Sequence, residues 1–198
     1  MICAIVLAAG CSRRMGTQKL LLSFAGKTVI AHIVDEVLCS PVRQVLVVLR
    51  EDDEGVAAAL AGRKWKAVVN PDPDGDMLSS VRCGLRALPP GCTAVLAVLG
   101  DQPAITSGLI GEMTRALATC GRGIVVPVHA GRRGHPLLFS SRYCEEILTG
   151  HEQVGLRGLL HSHPDELLEL DVATPFVLTD MDQPADYLRE LKRLQEGR

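Results

Sequence analysis

Small and cationic side chains gather in the N-terminal segment, residues 7–19, which reads LAAGCSRRMGTQK. The Ala-Ala-Gly stretch at residues 8–10 lacks bulk, so a ligand can approach the backbone closely there. A glycine-bearing loop can also direct several amide N–H groups at one anion. Arg13, Arg14 and Lys19 add positive charge that suits phosphate oxygens. The segment therefore predicts a loop that binds a triphosphate or another phosphorylated ligand.

Two familiar phosphate-binding loops do not fit this chain. It contains no GxGxxG motif. Gly26-Lys27-Thr28 resembles the end of a P-loop, but Leu21 occupies the position where the upstream glycine is required. We interpret this stretch instead as a turn before a helix, with Thr28 as the N-cap.

A carboxylate at Asp101 is a candidate metal ligand. It follows the apolar run of residues 94–99 and precedes Pro103. Mg²⁺ takes one or two protein carboxylates together with phosphate oxygens and water, which suits a carboxylate at the end of a strand. The alternative is a turn or N-cap residue, which is common for Asp-x-Pro. We favour the metal role.

The elements that must position these residues follow from the apolar pattern. Runs typical of strands are residues 2–7, 45–49, 67–69, 94–99, 123–126, 136–140 and 166–170. Segments typical of helices are residues 28–38, 52–60, 78–88, 107–117, 155–161 and 186–194. This alternation predicts a three-layer α/β/α sandwich around a mixed, mostly parallel sheet. Because ligands bind beyond the carboxyl ends of such strands, we expect the polar stretches that follow them to gather on one rim.

Size and composition restrict the class of protein. The chain has 198 residues and shows no repeat or linker, which predicts a single domain over residues 1–198. A net charge of -2 and an aromatic content of 3% argue against a nucleic-acid partner. No apolar run is long enough to predict a membrane span, and the N-terminus lacks the basic region of a signal peptide. Seven cysteines without a CxxC pair indicate a reducing, cytoplasmic setting.

The pattern LAAGxSxRMGxxK in residues 7–19 resembles the signature of the molybdenum cofactor cytidylyltransferases. These form a MobA/MocA-like branch of the nucleotidyltransferases with a GT-A-like fold. Further resemblance is carried by Asn70-Pro71-Asp72, Met77, Ser79-Ser80, Gly100-Asp101-Gln102-Pro103, Gly134-His135-Pro136 and Asp180-Met181-Asp182-Gln183-Pro184. The resemblance covers nearly the whole chain and implies that fold and a nucleotidyltransferase activity.

The resemblance also implies roles for individual residues. The nucleotide-binding set would be Leu7, Ala8, Ala9, Gly10, Ser12, Arg14, Lys19, Ser79 and Ser80, and His135 would lie on the acceptor side. Arg14, Lys19 and Asp101 would act in catalysis, and Asp101 and Asp182 would bind Mg²⁺. Alternatives remain for several of these: Ser79 and Ser80 could simply start a helix, His135 could be a turn histidine, and Asp180 could replace Asp182 at the metal.

The implied reaction is transfer of CMP from CTP to the phosphate of molybdopterin, with release of pyrophosphate. The Ala-Ala-Gly stretch at residues 8–10 favours CTP, because guanylyltransferase members tend to have Gly-Gly there. Two departures concern the rest of the chain: Asp76 stands where relatives commonly have a small residue, and residues 150–157 match a GDxGAR pattern only loosely.

Two rival functions remain open from the sequence. A transferase of the same fold could add CMP or another nucleotide to a sugar phosphate or polyol phosphate. A non-catalytic nucleotide-binding module for maturation of a molybdoenzyme client is the second, and the presence of Asp101 and Asp182 argues against it. The expected partners are CTP or another nucleoside triphosphate and a molybdopterin-type acceptor.

Overall fold

The structure is a computed structural model that describes residues 1–10 and 18–196. Residues 11–17 of the predicted phosphate loop, which include Ser12, Arg13 and Arg14, lie outside the described residues.

A single eight-stranded sheet runs through the described part of the chain. Its strands are β1 (Ile2–Leu7), β4 (Gln44–Arg50), β5 (Lys66–Asn70), β6 (Ala94–Leu99), β7 (Ile124–His129), β8 (Arg132–Arg133), β9 (Leu137–Ser140) and β10 (Leu167–Asp171). Their order in the sheet is β10-β7-β9-β6-β1-β4-β5, with β8 paired to β7. β1 is parallel to β4 and β6, β4 to β5, and β7 to β10. β9 runs antiparallel to both β6 and β7, which makes the sheet mixed.

Helices cover both faces of this sheet. They are α1 (Val29–Leu38), α2 (Glu54–Ala59), α3 (Met77–Arg86), α4 (Ser107–Thr119), α5 (Cys144–Thr149), α6 (Arg157–Ser162) and α7 (Pro184–Glu196). Apolar residues of α1, α2, α4 and α7 belong to or pack against one core cluster, and those of α3, α5 and α6 belong to the other. Alternate residues of β1 belong to the two clusters: Ala4 and Val6 pack on the side of α1 and α4, and Ile5 packs on the side of α3. This is why β1 is an uninterrupted apolar run.

The start of α1 has the local structure expected from its sequence. Thr28 has extended backbone angles, and its hydroxyl accepts a hydrogen bond from the backbone N–H of Ala31. This N-cap satisfies a donor that the helix itself cannot pair. The interpretation of Gly26-Lys27-Thr28 as a turn before a helix, and not as a P-loop, is confirmed.

The predicted fold class is confirmed: the sheet is mixed and mostly parallel, with helices on both faces. The sequence patterns missed four short helices and strands, namely α5, β8 and the two-stranded hairpin of β2 (Ser23–Phe24) and β3 (Lys27–Thr28). α5 escaped because its six residues contain one fully buried apolar side chain, Ile147, which is too little for a visible period. Among the described residues, no helix is both long and apolar enough to cross a membrane.

Candidate active site

A cleft of about 310 Å³ opens at the rim where β1, β5 and β6 end. It is lined by Leu7, Ala9, Gly10, Lys19, Leu20, Gly75, Asp76, Met77, Ser80, Leu99, Asp101, Asp180 and Asp182. These residues come from five separate stretches of sequence. Three stretches lie at or after the carboxyl ends of β1, β5 and β6, and the other two are residues 19–20 and residues 180–182, which precede α7. The rim predicted from the sequence thus carries a cleft, as expected for a parallel sheet.

Lys19 connects the two carboxylates at one end of this cleft. Its Nζ donates to Asp101 Oδ2 at 2.6 Å and to Asp182 Oδ1 at 3.2 Å. The Lys19 side chain is 12% exposed, whereas those of Asp101 and Asp182 are 21% and 45% exposed. The three residues are far apart in sequence, so the tertiary fold alone brings them together.

Lys19 keeps its positive charge although its side chain is largely buried. Burial alone would lower the pKa of Lys19, but the Asp101 and Asp182 carboxylates outweigh that effect and raise its pKa. Lys19 therefore stays an ammonium ion. Among the described residues at this end of the cleft, the two carboxylates and one ammonium group sum to a negative charge, which favours an added cation.

Backbone contacts fix the relative position of the two acidic segments. The N–H of Met181 donates to the carbonyl of Asp101 at 3.1 Å, and the Met181 side chain is fully buried. Anchoring Met181 in the core sets the neighbouring Asp180 and Asp182 at the mouth of the cleft, where both contribute to its lining. The C-terminal segment is thereby tied to the residue that follows β6.

Gly100 is required where Asp101 leaves the sheet. Its N–H donates to the Leu7 carbonyl at 3.0 Å, which continues the pairing of β1 and β6. A Cβ at this position would lie 2.5 Å from that carbonyl oxygen, closer than side-chain carbons approach backbone atoms. Glycine therefore lets the chain turn tightly from β6 into Asp101 beside the loop that starts at Ala8.

The other end of the cleft is organised by Asn70, the last residue of β5. Its side chain is 4% exposed, and Nδ2 donates to the hydroxyls of Ser79 at 2.7 Å and Ser80 at 3.0 Å. Gly75 lies directly against this group, since a Cβ there would meet Ser79 Oγ at 2.4 Å. The amide of Asn70 thus holds the first turn of α3 against the end of β5.

Asp76 begins α3 and lines the cleft beside Ser80. It has extended backbone angles, and its Oδ1 accepts a hydrogen bond from the N–H of Ser79 at 2.8 Å. This makes Asp76 the N-cap of α3, a position where Asp, Asn and Ser are all effective. Ser79 and Ser80 lie inside the first turn of the helix and do not cap it.

Most of the predicted site residues lie at this cleft. Those that line it are Leu7, Ala9, Gly10, Lys19, Ser80, Asp101 and Asp182. Ala8 is 1% exposed, and its N–H donates to the carbonyl of Val48 in β4, so Ala8 is buried and fixes the start of the loop to the sheet. Ser79 contributes through its bond from Asn70. These positions are consistent with the roles predicted for the residues but do not test them.

His135 lies on a different cavity from the other predicted residues. This second cavity, of about 390 Å³, is lined by His135, Gln102, the start of α4 and residues 171–174, 176 and 177. Burial lowers the pKa of His135 and outweighs the opposing effect of Asp101 and Asp180. Its Nδ1 is buried and has no hydrogen-bond partner among residues 1–10 and 18–196. A neutral imidazole near two carboxylates thus lies behind the acidic end of the cleft.

Several residues of the site had weaker signals in the sequence. Met181 could have been found from the alternation Asp-Met-Asp, which places one apolar side chain inward between two polar ones. Asp76 could have been found as a helix N-cap three residues before Ser79. Leu20, Gly75, Met77 and Leu99 line the cleft because of the tertiary fold, and nothing local distinguished them.

The sequence is similar to two kinds of known protein. The chain is 25% identical to the molybdenum cofactor cytidylyltransferase of Escherichia coli K12 over 192 residues, which is 97% of this chain and 96% of that protein. It is also 32% identical to the bifunctional protein GlmU of Agrobacterium fabrum over 133 residues, or 65% of this chain. The match spans only 29% of that longer protein.

Solved structures show the same architecture over the full chain. A nucleotidyl transferase from Methanothermobacter thermautotroptrophicus superposes with a TM-score of 0.87 at 26% identity, covering 100% of this chain and 99% of that one. Rv0371c of Mycobacterium tuberculosis H37Rv superposes with a TM-score of 0.85 at 31% identity, covering 96% and 97%. A manganese complex of Rv0371c has a TM-score of 0.77 at 28% identity, covering 96% and 98%.

A family model supplies the strongest of these relationships. The model of the MobA-like NTP transferase domain matches residues 4–167, which include most of the cleft with Lys19 and Asp101, but not Asp180 and Asp182. The match extends from within β1 to the first residue of β10 and so covers six of the eight strands of the large sheet in full. This chain belongs to the family of MobA-like NTP transferase domains and is a nucleotidyltransferase.

Proposed function

We propose that this protein transfers CMP from CTP to the phosphate of a molybdopterin-type acceptor and releases pyrophosphate. The observation that carries the proposal is the contact of Lys19 with Asp101 and Asp182 at one end of the cleft. That arrangement offers a cation for a triphosphate and two carboxylates for a metal ion. The similarity to the Escherichia coli cytidylyltransferase over almost the whole chain supports the choice of acceptor and nucleotide.

Asp101 and Asp182 fit a divalent cation of the Mg²⁺ or Mn²⁺ type. Both offer oxygen ligands at the open side of the cleft, and such cations take one or two carboxylates together with phosphate oxygens and water. No group of three or more His, Cys, Asp or Glu side chains that could hold a metal ion is found within residues 1–10 and 18–196. When bound, the ion would supply neutralisation of phosphate charge.

The remaining chemistry requires positioning more than proton transfer. A phosphate monoester has a second pKa of about 6, so the acceptor is already largely a dianion at pH 7. No strong general base is needed. Lys19 would bind the triphosphate and stabilise charge that develops on the leaving pyrophosphate, together with the Gly10 backbone. Asp101 and Asp182, held in register by Met181, would orient the reacting groups for in-line attack on the α-phosphorus.

A transferase for a sugar phosphate or polyol phosphate is the second candidate. The chain also resembles a relative that is not named as a cytidylyltransferase, because its identity to GlmU, 32% over 133 residues, exceeds its identity to the cytidylyltransferase. That similarity covers only part of both chains, whereas the cytidylyltransferase matches nearly end to end. We therefore rank the molybdopterin-type acceptor first.

Pyrophosphate release tests the proposal directly. The enzyme is incubated with Mg²⁺ and molybdopterin, and CTP, GTP, ATP and UTP are compared in parallel, with sugar phosphates as alternative acceptors. We expect release with CTP and molybdopterin, and a decrease of about 10²–10³-fold in Asp101→Asn, the scale found when one electrostatic contact to a transition state is removed. Asp165→Asn, an exposed carboxylate outside the cleft, is the matched control and should retain activity.

The other outcomes identify the rival functions. Release with a sugar phosphate but not with molybdopterin would establish the second candidate. Binding of CTP without release of pyrophosphate for any acceptor would contradict both and support a non-catalytic nucleotide-binding module. Equal activity of Asp101→Asn and the wild type would contradict the role assigned to this carboxylate.

A further inference from the structure

The two ends of the cleft differ in chemical character. Lys19, Asp101, Asp180 and Asp182 place charged groups near the end of β6, whereas Gly75, Asp76, Met77 and Ser80 lie near the end of β5. In the sheet β5 is three strands from β6, which corresponds to roughly 14 Å at the usual spacing between strands. A nucleotide whose phosphates lie at the charged end therefore extends its base toward Asp76.

The Asp76 end combines a hydrogen-bond acceptor, a donor and an apolar surface. Asp76 Oδ1 accepts from the N–H of Ser79, while Oδ2 has no hydrogen-bond partner among the residues that the structure describes. The Ser80 hydroxyl accepts from Asn70 Nδ2, so its own proton remains to be donated. Met77 is 46% exposed and offers an apolar side chain next to them. This is a surface that can contact both the face and the edge of a base.

We propose that Asp76 determines base specificity, and that its free carboxylate oxygen selects a base with an exocyclic amino group over uracil. The inference rests on the proposed nucleotidyltransferase function. Cytosine carries an amino group at C4, which donates a hydrogen bond, whereas uracil carries a carbonyl there and would set two acceptors against each other. A site that hydrogen-bonds a substrate N–H discriminates against an analogue without it.

The effect on binding should be moderate because Asp76 is exposed. We expect CTP to bind the wild type about 10- to 100-fold more tightly than UTP, well below the discrimination of fully buried sites. Ser80 contributes less to this ratio, since a hydroxyl can donate to or accept from either base. The ratio of the two dissociation constants is thus the quantity that reports on Asp76.

Two substitutions separate base recognition from helix capping. Asp76→Asn and Asp76→Ser both retain an N-cap side chain, so α3 should stay intact and the thermal unfolding transition should change little. The amide of Asp76→Asn can donate to the uracil carbonyl, so we expect the ratio to fall to about one or to invert. Asp76→Ser is too short to reach the base, and its ratio should fall about tenfold with no gain in affinity for UTP.

Calorimetric titration of CTP and UTP into the full-length wild type, both variants and the control Asp165→Asn tests this inference. Equal affinity of the wild type for CTP and UTP, or a ratio that is unchanged in Asp76→Asn, would overturn it while leaving the nucleotidyltransferase function intact. Failure of the wild type to bind any nucleoside triphosphate would instead refute the proposed function, and this inference with it. A lowered ratio in both Asp76 variants but not in Asp165→Asn is the expected result.

Discussion

Replacing Lys19 by Met removes the ammonium group between Asp101 and Asp182 and keeps a side chain of similar length. Without nucleotide, a divalent cation must compete with this ammonium group for the two carboxylates, which lie 2.6 Å and 3.2 Å from Nζ. We therefore expect Lys19→Met to bind Mn²⁺ more tightly than the wild type in the absence of nucleotide. A residue proposed to bind substrate would thus weaken metal binding until the substrate arrives.

The size of this effect follows from the shorter of the two contacts. A hydrogen bond to a charged group contributes about 1.5–3 kcal/mol. The Asp182 side chain is 45% exposed, so its contact with Lys19 is screened by solvent and adds little. Taking the Asp101 contact alone, at the low end of that range, gives about a tenfold change, because each 1.4 kcal/mol changes an equilibrium constant tenfold.

Electron paramagnetic resonance of free and bound Mn²⁺ measures this affinity without any catalytic readout. The matched control is Lys27→Met, which removes a lysine from Asp35 outside the cleft and should leave Mn²⁺ affinity unchanged. With CTP present, the wild type should bind Mn²⁺ more tightly than Lys19→Met, because Lys19 then has phosphate oxygens to bind. Unchanged or weaker Mn²⁺ binding by nucleotide-free Lys19→Met, in a variant that still unfolds cooperatively, would refute the reasoning.

Two further predictions concern stability. The Cβ of Gly100→Ala would press on the Leu7 carbonyl, so this substitution should lower the free energy of unfolding by about 1–3 kcal/mol and weaken Mn²⁺ binding. Denaturant unfolding measures the change in stability, and a variant as stable as the wild type would contradict this prediction. Glu146 accepts hydrogen bonds from His163 and His151 that outweigh burial and hold its pKa below the usual value. Glu146→Gln should therefore cost about 1 kcal/mol at pH 7, and this difference should shrink as the pH falls through the range of glutamate titration, near about 4.3 and below. Unfolding curves that differ equally at pH 7 and pH 4 would argue against that role.

The fold was predictable because its elements carry their own periodic signals. Continuous apolar runs at residues 2–7 and 94–99 predict buried strands, and both are strands in the structure with the same bounds. The capping role of Thr28 was also local, since it depends on one side chain and a backbone group three residues away. Where a signal was short, as in α5, or where direction mattered, as in antiparallel β9, sequence patterns were insufficient. Strand direction depends on connections and neighbours, which apolar periodicity does not record.

The site was predictable in its membership but not in its arrangement. Lys19, Asp101 and Asp182 stood out by residue type and by their position after strands or in a recognisable motif. The choice of Asp182 over Asp180 rested on resemblance, and the contact of Asp182 with Lys19 is consistent with that choice without testing it. The separation of His135 into a second cavity had no signal in the sequence.

Composition and periodicity are local properties, so the sequence alone indicates which residues could do chemistry and which helices and strands carry them. The position of the Lys19 ammonium group between two carboxylates from distant parts of the chain, and of Asp76 at the same cleft, results from the tertiary structure. Those placements depend on strand order and on anchors such as Met181, whose buried side chain and bond to Asp101 join the C-terminal segment to β6. Contacts of this kind arise from packing between remote segments, and no local pattern encodes them.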